Sequence, residues 1–357
     1  MHDTCFKQKV GITSLTYILV IALCILLTGC TINVLPNSSN QPSCSNPCTI
    51  GSGAQNVQVF VEPEAGEQPI LSAIQSAKKS IWLEMYLLTD HNVLRALEEA
   101  ANRGIDVRVM LEPHPFGGGS SPARTLDQLN AAGVKAQPSS PAFSLTHEKG
   151  MIIDGTTVYI MTSNFTRSAL GGSSGSNGIS NREYDIIDGN SVDVAAITAI
   201  FEADWNHSTA AFNDPNLVVS PVNSRNAFLT LINSTHSTLL LETEEMNDTV
   251  IEQALINEAQ HGIHVQVILP APRGSSTDTN SRGMATLRQG GVQVREDARF
   301  YMHAKMIVVD GQRAFVGSEN ISAQSLDHNR ELGLLVADAG VLQTLQQTFQ
   351  GDWADSH

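Results

Sequence analysis

The sequence predicts an α/β protein made of two fused copies of one α-β-α unit, related by a pseudo-twofold axis and closing on one shared cleft. Three observations predict it. The string His147-x-Lys149-x4-Asp154 returns as His303-x-Lys305-x4-Asp310, and an asparagine stands ten residues past each aspartate, at Asn164 and Asn320. A longer self-similarity surrounds these strings: Gly104 and Gly262, Gly133 and Gly291, and Glu84 and Glu242 are each 158 residues apart. Finally, apolar runs of strand length alternate with segments of helical period, the pattern of a parallel or mixed sheet covered by helices. A period this long marks a duplicated domain-sized unit, not a solenoid repeat.

Taken in order, the chain opens on a processing signal. Residues 15–27 are almost wholly apolar, follow Lys7 and Lys9, and end in Leu27-Thr28-Gly29-Cys30, which predicts a secretory signal over 1–29. Leu-Thr-Gly-Cys resembles the bacterial lipobox. That resemblance implies a lipid on Cys30 and an exported lipoprotein, anchored in a membrane and facing outside the cytoplasm; an uncleaved single-span anchor is the alternative. Residues 30–56, rich in Asn, Ser, Pro and Gly, read as a flexible stalk. Within it, Cys44 and Cys48 allow a local disulfide in an exported chain; a metal site there would need further ligands, and none are near. The rest of the chain has no cysteine, so packing holds it together.

Two units follow, over 57–215 and 216–357. In the first, residues 80–88 form a strand. Residues 92–103 form a helix with Val93, Leu94, Leu97 and Ala101 on one face, stopped by Gly104. Residues 107–111 form a second buried strand, and 126–132 a short helix stopped by glycine. After Lys149 the apolar residues mark a strand, Asp154-Gly155 a hairpin turn, and 158–161 the returning strand; Asp310-Gly311 and 314–317 repeat this. Asn181-Arg182-Glu183 recurs as Asn329-Arg330-Glu331 at an offset of 148, so the first unit carries an insertion, the Gly/Ser-rich run 171–178.

The chemistry follows from residue type and spacing. Histidine and lysine two apart on a strand share a face, and the hairpin returns each asparagine beside them. Each aspartate falls at the far end, as a turn and ion-pair residue supporting the motif. A phosphodiester is a stabilised anion, so its nucleophile must be pre-positioned and its oxygens neutralised. Lys149, Lys305, Asn164 and Asn320 supply neutralisation. One imidazole attacks phosphorus, and the other protonates the leaving alcohol and then deprotonates water. Glu183 and Glu331 are the duplicated carboxylates placed to fix the second ring nitrogens. No carboxylate cluster or zincin spacing is visible, so neither metal nor cofactor is expected.

These strings resemble the phospholipase D superfamily, whose signature is His-x-Lys-x4-Asp-x6-Gly-Ser-x-Asn in two copies. His303, Lys305, Asp310, Gly317, Ser318 and Asn320 fit in full. The first copy departs at Met161 and Thr162: threonine keeps the hydroxyl, whereas methionine crowds a position where glycine lets the backbone approach. The resemblance spans about residues 57–355 and implies that His147 is the nucleophile and His303 the acid.

The leading expectation is a membrane-tethered phospholipase D that hydrolyses a glycerophospholipid to phosphatidic acid and alcohol. The alternatives are an extracytoplasmic endonuclease and a phosphatidyltransferase of the cardiolipin synthase type. A third class, a non-enzymatic lipoprotein binding phosphorylated polymers, leaves the intact histidines and lysines without a purpose. With 36 acidic against 21 basic residues and a net charge of −15, the chain lacks the basic surface that holds nucleic acid, so no stable nucleic-acid partner is expected. Both half-sites lie in one chain, so no oligomer is required.

Overall fold

The computed structural model describes residues 50–116, 121–173, 178–273 and 278–357. The expected signal, Cys30, Cys44 and Cys48 lie outside the described residues, as do residues 174–177 of the Gly/Ser-rich run. No helix among the described residues is long and apolar enough to cross a membrane.

The first half begins with β1 (Gln58–Glu62) and α1 (Gln68–Ser76), then β2 (Ser80–Met85), α2 (His91–Asn102), β3 (Asp106–Leu111), α3 (Pro122–Ala131) and β4 (Lys135–Pro138). A hairpin of β5 (Lys149–Ile153) and β6 (Thr157–Met161) follows, with β7 (Asn181–Asp188) and α4 (Ser191–Trp205) closing the half. The second half repeats this with β8 (Leu217–Ser220), α5 (Ser224–Asn233), β9 (Thr238–Thr243), α6 (Thr249–Gln260), β10 (His264–Pro270), α7 (Ser281–Gln289) and β11 (Gln293–Asp297). After the short β12 (Tyr301–Met302) come the hairpin β13 (Lys305–Val309) and β14 (Arg313–Gly317), then α8 (Ala323–Asp327), β15 (Glu331–Val336) and α9 (Ala339–Asp355).

Each half forms one mixed sheet of the same order: β1-β7-β6-β5-β2-β3-β4, and β8-β15-β14-β13-β9-β10-β11. In the first, β2, β3 and β4 run parallel and the hairpin strands antiparallel to their neighbours. The duplication extends to local chemistry. Asp90 accepts from the backbone N–H of Asn92 and Val93 at 2.9 and 3.1 Å and starts α2; Asp248 does the same for α6 with Val250 and Ile251. Such caps satisfy donors that the first helical turn leaves free. Gly104 and Gly262 then end these helices at φ +85° and +90°, a region that glycine enters without steric cost.

Three apolar cores result. Val93, Leu97, Val109 and Leu126 seal helices onto the outer face of the first sheet, as Phe228, Leu255, Val267 and Leu287 do on the second. Between the sheets, Ile152, Val158 and Ile186 meet Met306, Val316 and Leu334, joined by Phe201 of α4 and Phe349 of α9. The hairpin carrying each His-x-Lys string is therefore covered on both faces, which suits its unbroken apolar sequence.

The structure departs from the sequence reading in three places. β1 and α1 precede the first expected strand. α3 starts at Pro122, ahead of the expected Leu126, because proline at a first helical turn forfeits no intrahelical bond. Residues 50–56, assigned to the stalk, are held by the body: Ala54 bridges Val336, and its N–H donates to the Leu335 carbonyl at 2.8 Å.

Candidate active site

The segment leading into each His-x-Lys string leaves its own sheet and pairs with the other half. β12 lies beside β7, with Tyr301 opposite Asn181 and Met302 opposite Arg182. Reciprocally, Thr146 bridges Arg330, and the His147 N–H donates to the Arg330 carbonyl at 2.9 Å. One residue further along each pairing, a histidine meets a glutamate. His147 Nδ1 stands 2.9 Å from Glu331 Oε2, and His303 Nδ1 stands 2.8 and 2.9 Å from the two oxygens of Glu183. Each imidazole is thus held by a carboxylate of the opposite half.

Buried bonds fix these glutamates. Glu183 accepts from Thr162 Oγ1 at 2.7 Å and Asn181 Nδ2 at 2.9 Å; Glu331 accepts from Ser325 Oγ at 2.6 Å and Asn329 Nδ2 at 3.3 Å. Thr162 Oγ1 also accepts from the Tyr184 N–H, and Ser318 Oγ from the Leu332 N–H. The arginine between asparagine and glutamate clamps the halves together. Arg182 makes a two-point bond to Asp352 of α9 at 2.6 and 2.9 Å, and Arg330 reaches Asp204 of α4 at 3.0 Å.

Met161 is accommodated by an exchange of partners. In the second half, a Cβ on Gly317 would come within 2.7 Å of Glu319 Oε2, whose carboxylate lies over Gly317 and Gly333. In the first half the corresponding residues are Met161, Ser163 and Asp185, and Ser163 Oγ donates to Asp185 at 2.6 Å. Met161 and Asp185 thus stand at the positions that are Gly317 and Gly333 in the second half.

Lys149 and Lys305 are both buried, each turned back onto its own motif through the carbonyl of His147 or His303. Burial, and then the charge of Lys305, push Lys149 down to about 7, so the two ammonium groups feel one another across the halves. His147 is pushed down to about 4, chiefly by burial against the opposing pull of Glu331, and is neutral near pH 7. An ionised carboxylate only accepts, so the Nδ1–H belongs to the bond with Glu331 and the Nε2 lone pair is free. Asn164 and Asn320 are buried, and neither Oδ1 has a hydrogen-bond partner among the described residues. Asp154 and Asp310 sit at the hairpin turns. Asp154 accepts from the backbone N–H groups of Lys78, Lys79 and Ser80, and Asp310 from those of His236, Ser237 and Thr238. They fix the entry to β2 and β9 and are not bonded to His147 or His303.

Two features were not read from the sequence. Glu244 accepts from Lys305 Nζ at 2.9 Å and from Tyr301 Oη at 2.8 Å. Glu84, Glu148 and Asp204 bring three buried carboxylate oxygens within 4.8 Å of one another, the grouping suited to a cation among the described residues. Arg330 already supplies positive charge there. Burial, and then the nearby Asp204, push Glu148 up to about 8.

Fold and site together define a duplicated α/β protein whose two histidine-lysine motifs are completed across the halves. A model of the family described as cardiolipin synthase, PLD-like domain, matches residues 70–205 and 228–353. The chain belongs to this family, within the phospholipase D superfamily. A cardiolipin synthase of Oceanobacillus iheyensis is 24% identical over 335 residues, covering 83% of this chain and 68% of that protein. The major cardiolipin synthase ClsA of Bacillus subtilis is 26% identical over 340 residues, again 83% and 68%. The chain therefore spans about two thirds of the length of these curated relatives. In fold, phosphatidylserine synthase of Haemophilus influenzae superposes at a TM-score of 0.62 and 15% identity over 85% of this chain and 87% of that one. Polyphosphate kinase of Porphyromonas gingivalis superposes at 0.63 and 17% identity, over 83% and 50%.

The comparisons bear on two expectations, shifting the weight of one and overturning the other. Hydrolysis stood first in the sequence reading, whereas the relatives are named for a synthase, which favours the transferase alternative. An exported lipoprotein facing outside the cytoplasm finds no support among them, and that localisation is withdrawn.

Proposed function

We propose that this protein is a metal-independent phosphatidyltransferase of the cardiolipin synthase type, moving the phosphatidyl group of a glycerophospholipid onto an alcohol through a phosphohistidine. The observation that supports this reading is the pair of crossed histidine-glutamate contacts, by which each half completes the histidine of the other. Segments 57–215 and 216–357 each contribute half. His147 Nε2 attacks phosphorus while the bond from phosphorus to the head-group oxygen breaks and His303 gives that oxygen its proton. An acceptor alcohol then attacks phosphorus, His303 takes the alcohol's proton, and His147 departs. Lys149, Lys305, Asn164 and Asn320 neutralise the phosphoryl oxygens, an electrostatic contribution that grows where water is excluded. Glu331 and Glu183 hold the rings and balance the charge each gains. Thr162 and Ser318 brace the strands behind the glutamates, and Asp154 and Asp310 the hairpins.

The same intermediate captured by water gives phosphatidic acid, so hydrolysis and transfer differ only in the acceptor. The test offers phosphatidylglycerol in mixed micelles to the full chain without added metal, and products are resolved by mass spectrometry. Cardiolipin and free glycerol are expected, with no product from His147→Ala or His303→Ala. Phosphatidic acid as the sole product would replace transfer by hydrolysis. Cleavage of single-stranded DNA with the lipid untouched would overturn both.

A further inference from the structure

The two halves also differ beside their histidines. A shift of 158 residues takes Tyr86 onto Glu244, and one of 156 takes Leu145 onto Tyr301. In the first half the Tyr86 ring meets His147 edge-on at 4.7 Å and lies 5.1 Å from Lys149 Nζ. In the second, a carboxylate takes the place of that ring. Glu244 Oε2 lies 2.9 Å from Lys305 Nζ, 3.4 Å from Asn320 Nδ2 and 3.5 Å from His303 Nε2, while Oε1 accepts from Tyr301. Burial works against its ionisation, but the charges of His303 and Lys305 outweigh burial and hold it well below the usual carboxylate range. Its side chain keeps 18% exposure, the room a ligand needs to reach it.

The placement has a chemical consequence. In-line transfer puts the departing or arriving alcohol oxygen opposite His147, at His303 Nε2, which makes Glu244 the neighbour of that alcohol. An ionised carboxylate repels phosphoryl oxygens and accepts hydrogen bonds only. Lys305 spends one donor on the His303 carbonyl and one on Glu244, and its third, 3.4 Å from the His303 ring nitrogens, lies on the side where the phosphate would bind. Glu244 therefore need not leave when substrate binds. Water and a simple alcohol offer it nothing beyond the reacting O–H, whereas a vicinal polyol carries a second hydroxyl one carbon away.

Resting on the transferase reading, we propose that Glu244 is the specificity-determining residue for the acceptor, receiving the second hydroxyl of a glycerol-like polyol while the first reacts at His303. Phosphatidylglycerol is incubated with the full chain and equal amounts of deuterated glycerol and 1-propanol, and the labelled phosphatidylglycerol and phosphatidylpropanol are quantified. Both products come from one phosphoenzyme, so their ratio does not depend on how fast it forms. Wild type favours glycerol. Glu244→Gln lowers the ratio about tenfold or more, the worth of a hydrogen bond to a charged group. A second comparison needs no variant: 1,2-propanediol outcompetes 1-propanol in wild type. Equal use of these alcohols by wild type, or a ratio unmoved in Glu244→Gln, overturns the assignment while leaving the transferase reading intact. Phosphatidic acid alone, whatever alcohol is present, overturns the transferase reading and this assignment with it.

Discussion

Replacing Glu331 by glutamine tests whether each imidazole works through a carboxylate of the other half. Glutamine preserves size and can still accept the Nδ1–H of His147, so the ring keeps its tautomer and only the negative charge is lost. That charge matters as Nε2 attacks, when the ring turns cationic 2.9 Å from the carboxylate. A hydrogen bond to a charged group contributes about 1.5–3 kcal/mol, which corresponds to a loss of about 10- to 100-fold in kcat/KM. Ionisation of His147 does not offset this loss. The ring is already neutral near pH 7, its pKa pushed down to about 4 by burial, with Glu331 pulling the other way. Removing Glu331 moves that pKa lower still, so no more of the reactive form is gained at neutral pH, and any acid limb set by His147 shifts to lower pH. The assay is initial-rate consumption of phosphatidylglycerol in mixed micelles, with acid quenching to measure the phosphoenzyme and thermal melting to confirm the fold. A Glu331→Gln protein with wild-type melting and kcat/KM within about threefold of wild type would refute the reasoning, because a carboxylate in this geometry contributes more than that.

Arg182→Ala strips Asp352 of its two-point partner inside the interface and should cost about 3–5 kcal/mol in urea unfolding, as breaking a buried pair does. Arg299→Ala, which loosens an exposed pair with Asp355, should cost no more than about 1 kcal/mol; similar costs for the two would remove the clamp from the account. Stability should also fall as pH rises from about 4.5 towards 8. Glu148 is pushed up to about 8 by burial and then by Asp204, so between its ordinary value of 4.5 and 8 the folded protein holds a proton that the unfolded chain has released. Glu148→Gln should flatten the decline of the melting midpoint between about pH 4.5 and 8, and an equally steep decline in the variant would assign the slope to other groups.

Much of this was legible because the duplication repeats the information. The α2 face at Val93, Leu94 and Leu97 and the Asp-Gly turns at 154 and 310 are local signals, and local signals carry over when nothing in the tertiary structure opposes them. Glu183 and Glu331 were singled out by their shared Asn-Arg-Glu context. That each would face the other half's histidine was not readable, since it depends on β12 and on Thr146 crossing between sheets. β1 and α1 were passed over, and residues 50–56 were given to a stalk on composition although their backbone pairs with β15. Glu244 escaped notice for the opposite reason: a search for repeated residues is blind to the one that breaks the repeat. Aligning Tyr86 with Glu244 was the available signal.

The crossing of the glutamates also bears on why the halves stay fused yet differ. A half cut from its partner loses the carboxylate of its own histidine and the acidic partner of its own Asn-Arg-Glu arginine, because Arg182 relies on Asp352 and Arg330 on Asp204. Each dyad is then incomplete, Arg330 is left without its carboxylate, and Arg182 keeps only the exposed Glu64, so a buried pair is broken at a cost in both halves. Mutual dependence of this kind binds the pair without requiring the two half-sites to be equal. The transfer proposed above is itself unequal: one imidazole must be a free base that bonds to phosphorus, and the other must trade protons with an alcohol. Tyr86 beside His147 and Glu244 beside His303 give the rings the different surroundings those tasks need. The proposed two-step reaction would account for the symmetry of the scaffold and, equally, for the place where that symmetry stops.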